Sequence, residues 1–353
     1  MRTVVALVET QPETIEQDYQ RVMKLAKLPS SVRRPTLENP LNILADSPGD
    51  RFEPGFGVAP WQVRAMLSSL GEHVNAAQVV AVSIEGVKAT GHNFLRKQVL
   101  DHFSHPEVTA EFLRPHRHVS QVLHPALDEA LASGVQLPIG LAHSSGVLLS
   151  APTNDTVWGL SGAVAMLPRI VLGGVKIPRS TSLSESVAES LAVVGEVMPH
   201  LSAILDGTLW GVSKNEGRSL CVARNVVLAG SDPLAVDVVA MRLAGIDPQQ
   251  VPWVRMCQER GLGHSRREEI TVAGHTDLLD LDFKLGNNTF GASRPSLVSA
   301  LTSPLRAGLQ RIKIPVGRSL SEGRFGDTVW ATLSDEYADG SVWRGSEATA
   351  ISD

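Results

Sequence analysis

A chain of 353 residues that is 43% hydrophobic and 20% charged has ample material for a core, which excludes disorder throughout. Its net charge of −5, with lysine and arginine dispersed, argues against nucleic acid, whose backbone asks for a basic face. The longest apolar stretch, Leu160 to Pro178, is broken by Pro168, Arg169 and Lys176, short of the ~18 uninterrupted residues that a membrane span needs.

In chain order, strands and helices alternate. Thr3 to Glu9 reads as a strand, and Ile15, Tyr19, Val22, Met23 and Ala26 share one face of the helix that follows. The chain opens directly on that strand, without a signal peptide's basic and apolar regions, so a cytoplasmic protein with Cys221 and Cys257 reduced is expected. Leu41 to Ala45 is a short strand, 46–59 a Pro/Gly-rich loop, 60–70 a helix and Gln78 to Ile84 another strand.

Between 89 and 135 the pattern is helical, poorly periodic and rich in histidine and arginine, which suggests an inserted lobe. Six of the 11 histidines lie between His92 and His124. His92 and Arg96 stand at i and i+4, either an acid/base group with an anion clamp or a solvated face. His116 and His118 share one side of an extended chain, and His102 and His105 one helical turn. With no third ligand at a recognised offset, the cluster points to anion binding or plain surface and to no metal. Ser144 and Ser145 beside His143 lack the Gly-x-Ser-x-Gly of a nucleophile elbow.

Alternation resumes with Val147 to Ser150, a helix near 157–167, a strand at Ile170 to Leu172, a helix near 184–197 and strands at 202–205 and 225–230. A helix at 252–260 and a strand at Glu269 to Ala273 continue it. The expected fold is α/β and doubly wound, a mostly parallel sheet with helices on both faces. Such sheets bind ligands beyond the carboxyl ends of their strands. Three segments are expected to meet there: the loop 173–182 with cations Lys176 and Arg179, Asp206 at the end of one strand, and Asp232 at the end of another. Asp206 and Asp232 would then be a pair of strand-end carboxylates, or a turn residue and an ordinary cap. Lys214 and Asn215 sit on a loop able to close over them.

The sharpest local signal follows. Ser231 or Asp232 can cap a helix over 233–244, Pro233 fits its first position and Gly245 its stop. That helix is apolar nearly all round, so Asp237 inside it is expected to be buried, with a partner or a chemical role. After about 310 the chain turns polar and Gly/Ser-rich, with Trp330 and Trp343 near an acidic end, and 311–353 reads as a tail over the surface or on a neighbouring subunit.

Ser231-Asp-Pro-Leu-Ala-Val-Asp237, Gly245-Ile-Asp-Pro248, Val251-Pro252 and Glu259-Arg-Gly-Leu-Gly263, preceded by Leu201-Ser-Ala-Ile-Leu-Asp-Gly207, resemble in order and spacing the C-terminal half of the bacterial and archaeal family known as domain of unknown function 362. The resemblance covers about 200 to 275 and implies a shared fold there. Two departures accompany it. The clustered cysteines of the family's ferredoxin-like insert are absent, which removes an iron–sulfur cluster, and Pro152 to Val157 stands where the family has Lys-x-Lys-Thr-His.

The resulting expectation is an enzyme that acts on a small organic anion by acid/base chemistry, as an isomerase, lyase or cofactor-assisted redox catalyst, at the carboxyl edge of the sheet. Its candidate proton-transfer groups are Asp206, Asp232, Asp237, His92, His116 and His118, and its substrate contacts Arg96, Lys176, Arg179, Lys214 and Asn215. No residue pattern names a cofactor. Two alternatives stand beside it: a ligand-binding or assembly protein without turnover, self-associating through its tail, and a redox accessory protein without its own cluster.

Overall fold

The computed structural model describes residues 2–46, 55–82, 112–113, 137–138, 141, 144–155, 158–171, 182–198, 200–213, 219–281, 283, 285, 330–331 and 333. Its strands are β1 (Thr3–Glu9), β2 (Leu41–Asp46), β3 (Ala77–Val82), β4 (Phe112–Leu113), β5 (Leu137–Pro138), β6 (Ser145–Ser150), β7 (Thr153–Asp155), β8 (Gly159–Ser161), β9 (His200–Ser213), β10 (Ser219–Gly230) and β11 (Ile270–Gly274). Nine of them form one sheet in the order β11-β1-β10-β9-β6-β2-β3, with β7 and β8 attached beside β9, while β4 and β5 pair separately. The pairs β1/β11, β2/β3, β2/β6, β6/β9 and β7/β9 are parallel, so the sheet is mostly parallel and the fold α/β.

One expected strand direction is corrected. The segments 3–8, 202–205 and 225–230 do lie in one sheet, yet β10 runs antiparallel to both β1 and β9. The signals at 202–205 and 225–230 face each other at one end of a long antiparallel pair, β9 and β10, which runs from Ser213↔Ser219 to Ala203↔Gly230 with a register shift between Ala223 and Val226. Residues 208–212 and 221–224 extend both strands, each supplying the other's ladder hydrogen bonds.

Alternate side chains enter two cores, one on each face. Val5, Leu7, Leu44, Leu148, Leu205 and Leu228 pack under the helices Leu183–Val197, Pro233–Leu243 and Pro252–Glu259. Ala6, Val8, Ile43, Val147, Ile204 and Val227 pack under the helices Ile15–Leu25 and Pro60–Ser69. Helices on both faces explain why the central strands are apolar without alternation.

Local chemistry fixes the helix ends. Ser182 and Glu185 form a reciprocal capping box at 3.2 and 2.6 Å. Asp232 accepts from Ala235 N at 3.0 Å, and Gly245 at φ +77° ends the same helix while Ile246 N donates to Met241 O at 2.8 Å.

Three further expectations change. Ile170 and Val171 end a short helix, Leu167–Val171, and are not part of a strand; a three-residue apolar run carries no period that separates the two. The helix near 157–167 is instead the β7/β8 hairpin followed by a 3-10 turn at Val164–Met166. In the segment read as a surface tail, Trp330 is fully buried: it stacks on Trp61 at 6.4 Å and donates from Nε1 to Asn225 Oδ1 at 2.8 Å. Most of the 89–135 segment lies outside the described residues. No described helix is long and apolar enough to cross a membrane.

Candidate functional site

The three acidic candidates have distinct occupations. Asp206 sits within β9, not at its end, and is fully buried between the sheet and the Ile15–Leu25 helix. Tyr19 OH donates to its Oδ2 at 2.6 Å, and Thr208 donates to Oδ1 from its backbone N at 2.9 Å and its hydroxyl at 2.6 Å. Gln62 Nε2 in turn donates to Thr208 Oγ1 at 3.0 Å. Burial pushes the Asp206 carboxyl above its usual range, opposed by the Thr208 and Tyr19 bonds; burial, followed by the Asp206 charge, drives the Tyr19 phenol well above its own. This is a closed internal network.

Asp237 is fully buried as expected, and its partners are backbone groups: Ala163 N donates to Oδ1 and Val164 N to Oδ2, both at 2.9 Å. A Cβ on Gly162 would stand 2.4 Å from Oδ1, so a glycine there makes room for the carboxylate. Burial lifts the Asp237 carboxyl to about 7 against the lowering effect of those two N–H bonds. It anchors the turn that leads into the Leu167–Val171 helix.

Asp206 and Asp232 do not form the expected pair. Gly230 faces Ala203, so Asp232 continues to the level of Leu201, five residues from Asp206 or roughly 17 Å along the strand. Because β10 is reversed, Asp232 emerges at the amino edge of the parallel strands. There it meets a residue the sequence reading missed, His264. Asp232 Oδ2 accepts from His264 N at 2.8 Å and lies 2.8 Å from its Nδ1, while Oδ1 holds the helix cap. The carboxylate is 12% exposed and the imidazole 42%. With Nδ1 turned to the carboxylate, Nε2 is left for solvent or a ligand; among the described residues no hydrogen bond engages it.

The loop that presents His264 is held on both sides. Arg260 pairs with the buried Glu189 at 2.7 Å. Ser265, fully buried, accepts from Gln249 Nε2 on its hydroxyl at 3.1 Å and from Arg242 on its carbonyl at 3.3 Å, and donates to Gln258. Gly263 adopts φ +153°, and a Cβ there would come within 2.7 Å of Asp232 Oδ1. An open depression of about 350 Å³ results, lined by Gln258, Gly261, Gly263, His264, Arg266 and Glu269.

The opposite, carboxyl edge carries a second polar group. Asp46 ends β2, accepts from Ser150 at the end of β6 at 3.4 Å and pairs with Arg169 at 2.5 Å. The charge of Arg169 is thereby already matched. His92, Arg96, His116, His118, Lys176, Arg179, Lys214 and Asn215 lie outside the described residues. Among the described residues, no three His, Cys, Asp or Glu side chains are gathered as metal ligands.

His264 had one local signal, the glycines of Gly261-Leu-Gly263 just before it, which mark a loop brought close to other backbone. Its partner is 32 residues away, a separation no periodicity reveals. Comparisons with protein-family models, with curated proteins and with solved structures give no match.

Proposed function

We propose that this chain is an enzyme acting on a small organic anion by acid/base chemistry, with His264 as the proton-transfer group. The observation that carries the reading is the Asp232–His264 pair: a carboxylate fixed by two backbone N–H groups, holding one nitrogen of a half-exposed imidazole beside an open depression. Asp232 selects the tautomer with the proton on Nδ1, which leaves the Nε2 lone pair to accept a proton from the substrate. The imidazolium that forms then faces the carboxylate, so charge appears where an opposite charge is already in place. Arg266, at the rim of the depression, supplies a cation for the anionic group. Asp206 and Asp237 are structural in this reading, and the site moves from the carboxyl edge to the amino edge.

The reading also includes what rests on the sequence alone. These are kinship with domain of unknown function 362, a doubly wound arrangement with 89–135 as a His/Arg-rich lobe, a cytoplasmic location, and self-association through parts of 311–353 other than the seated Trp330.

The test is proton exchange. The purified full chain is incubated in deuterated water with a panel of small carboxylates, and loss of substrate proton signals is followed by NMR. Positioned acid/base groups contribute about 10²–10⁴-fold, so H264N should reduce exchange by at least about 100-fold while its melting temperature stays within a few degrees of the parent. Absence of exchange with every carboxylate, or exchange untouched by H264N, rejects the reading.

A further inference from the structure

The depression around His264 contains a feature that a simple anion does not explain. Arg266 and Gln258 offer donors, but Glu269 lines the same space and would repel a substrate whose only charge is negative. Among the described residues, no cation is paired with Glu269. Its Oε2 accepts a long bond, 3.3 Å, from Arg266 N. Gln258 uses its oxygen to accept from Ser265, which leaves its amide N–H groups as donors at the wall of the depression. Opposite charges are thus set around one imidazole without being spent on each other: guanidinium and amide donors, and an acceptor carboxylate.

That arrangement complements a molecule carrying both an anionic and a cationic group a few atoms apart. Resting on the proposed anion site, we infer that the substrate class is a small zwitterion of the amino-acid type, its carboxylate taken by Arg266 and Gln258, its ammonium by Glu269, and the atoms between them presented to His264 Nε2. An ammonium converts the repulsion by Glu269 into attraction. Each exposed charge contact of this kind contributes a few-fold in affinity, so removing a repulsion and adding an attraction together should favour the zwitterion over the matching anion by about tenfold.

The side-chain signals of His264, assigned by their absence in H264N, report occupancy of the site. The full chain at neutral pH is titrated with three probes of one size: alanine, propionate, which lacks the ammonium, and ethylammonium, which lacks the carboxylate. Alanine should shift the His264 signals at a concentration about tenfold lower than propionate, and ethylammonium should be the weakest of the three. In E269Q, which keeps a side-chain oxygen to accept from Arg266 N, the alanine advantage should vanish while propionate binds at least as well as before. Equal midpoints for alanine and propionate in the parent, or an alanine advantage that survives in E269Q, overturn the zwitterion inference and leave the anion reading standing. Silence of His264 toward all three overturns both.

Discussion

Asp237 allows a quantitative test of how burial and hydrogen bonding compete. Its carboxyl is fully buried and lifted to about 7, whereas an unfolded chain holds an aspartate near ~3.9. Between those values the folded state binds a proton that the unfolded state has lost, so stability must fall as pH rises from about 4 to about 7 and level off above that. Three pH units at 1.36 kcal/mol each give about 4 kcal/mol for the whole span. Asp237→Asn removes the titration. It also turns an NH2 toward Ala163 N or Val164 N, where a carboxylate oxygen accepts at 2.9 Å, which costs about 2–4 kcal/mol through one lost bond and one unsatisfied donor. Urea unfolding of parent and D237N at half-unit steps from pH 5 to 8 separates the two effects, because titrations independent of Asp237 cancel in the difference. The parent should be the more stable by the widest margin at pH 5, and the margin should shrink up to about pH 7 and change little above it. A constant margin, or one that grows with pH, would mean that the two N–H bonds outweigh burial and that Asp237 is ionised throughout.

Two further changes probe the other buried polar contacts. Trp330→Ala should cost about 3–5 kcal/mol and Trp330→Phe only ~1–2, since the latter keeps the stack on Trp61 and loses the bond to Asn225; similar melting curves for parent and W330A would show that the 330–333 segment is not seated. Tyr19→Phe removes one of three donors from the buried Asp206 and should destabilise by about 1–3 kcal/mol, measured by thermal unfolding, with no effect on ligand-induced shifts at His264.

Where the chemistry is local, the sequence is readable. Asp232, Pro233 and Gly245 each act within a few residues, and the helix between them ends one residue from where they place it. The reversed direction of β10 is not local: it is set by pairing with β9 and β1, and an apolar run such as Val226 to Ala229 is equally suited to a parallel or an antiparallel neighbour. The same limit hid Trp330, whose partners Trp61 and Asn225 are 105 or more residues away in sequence. Among the acidic candidates, burial of Asp237 follows from the apolar helix around it, whereas its partners, two backbone N–H groups near Gly162, follow only from the packing of that helix on the turn.

The reversal of one strand decides where a site can form. In a wholly parallel sheet each strand delivers its chain to the carboxyl edge, and the N-termini of the following helices gather there with their unpaired N–H groups. Here β10 delivers its chain to the other edge, so the N-terminus of the Pro233–Leu243 helix lies beside the start of β1 and the start of β11. The residues just before β11 therefore arrive at the same edge, and they are the ones that carry His264, Arg266 and Glu269. Asp232 can then serve two purposes with two oxygens, capping the helix with Oδ1 and orienting the imidazole with Oδ2. A cap residue that also holds a histidine is fixed by the helix it caps. The imidazole consequently inherits the rigidity of the core helix, which is the condition a proton-transfer group needs to meet its substrate without reorganising.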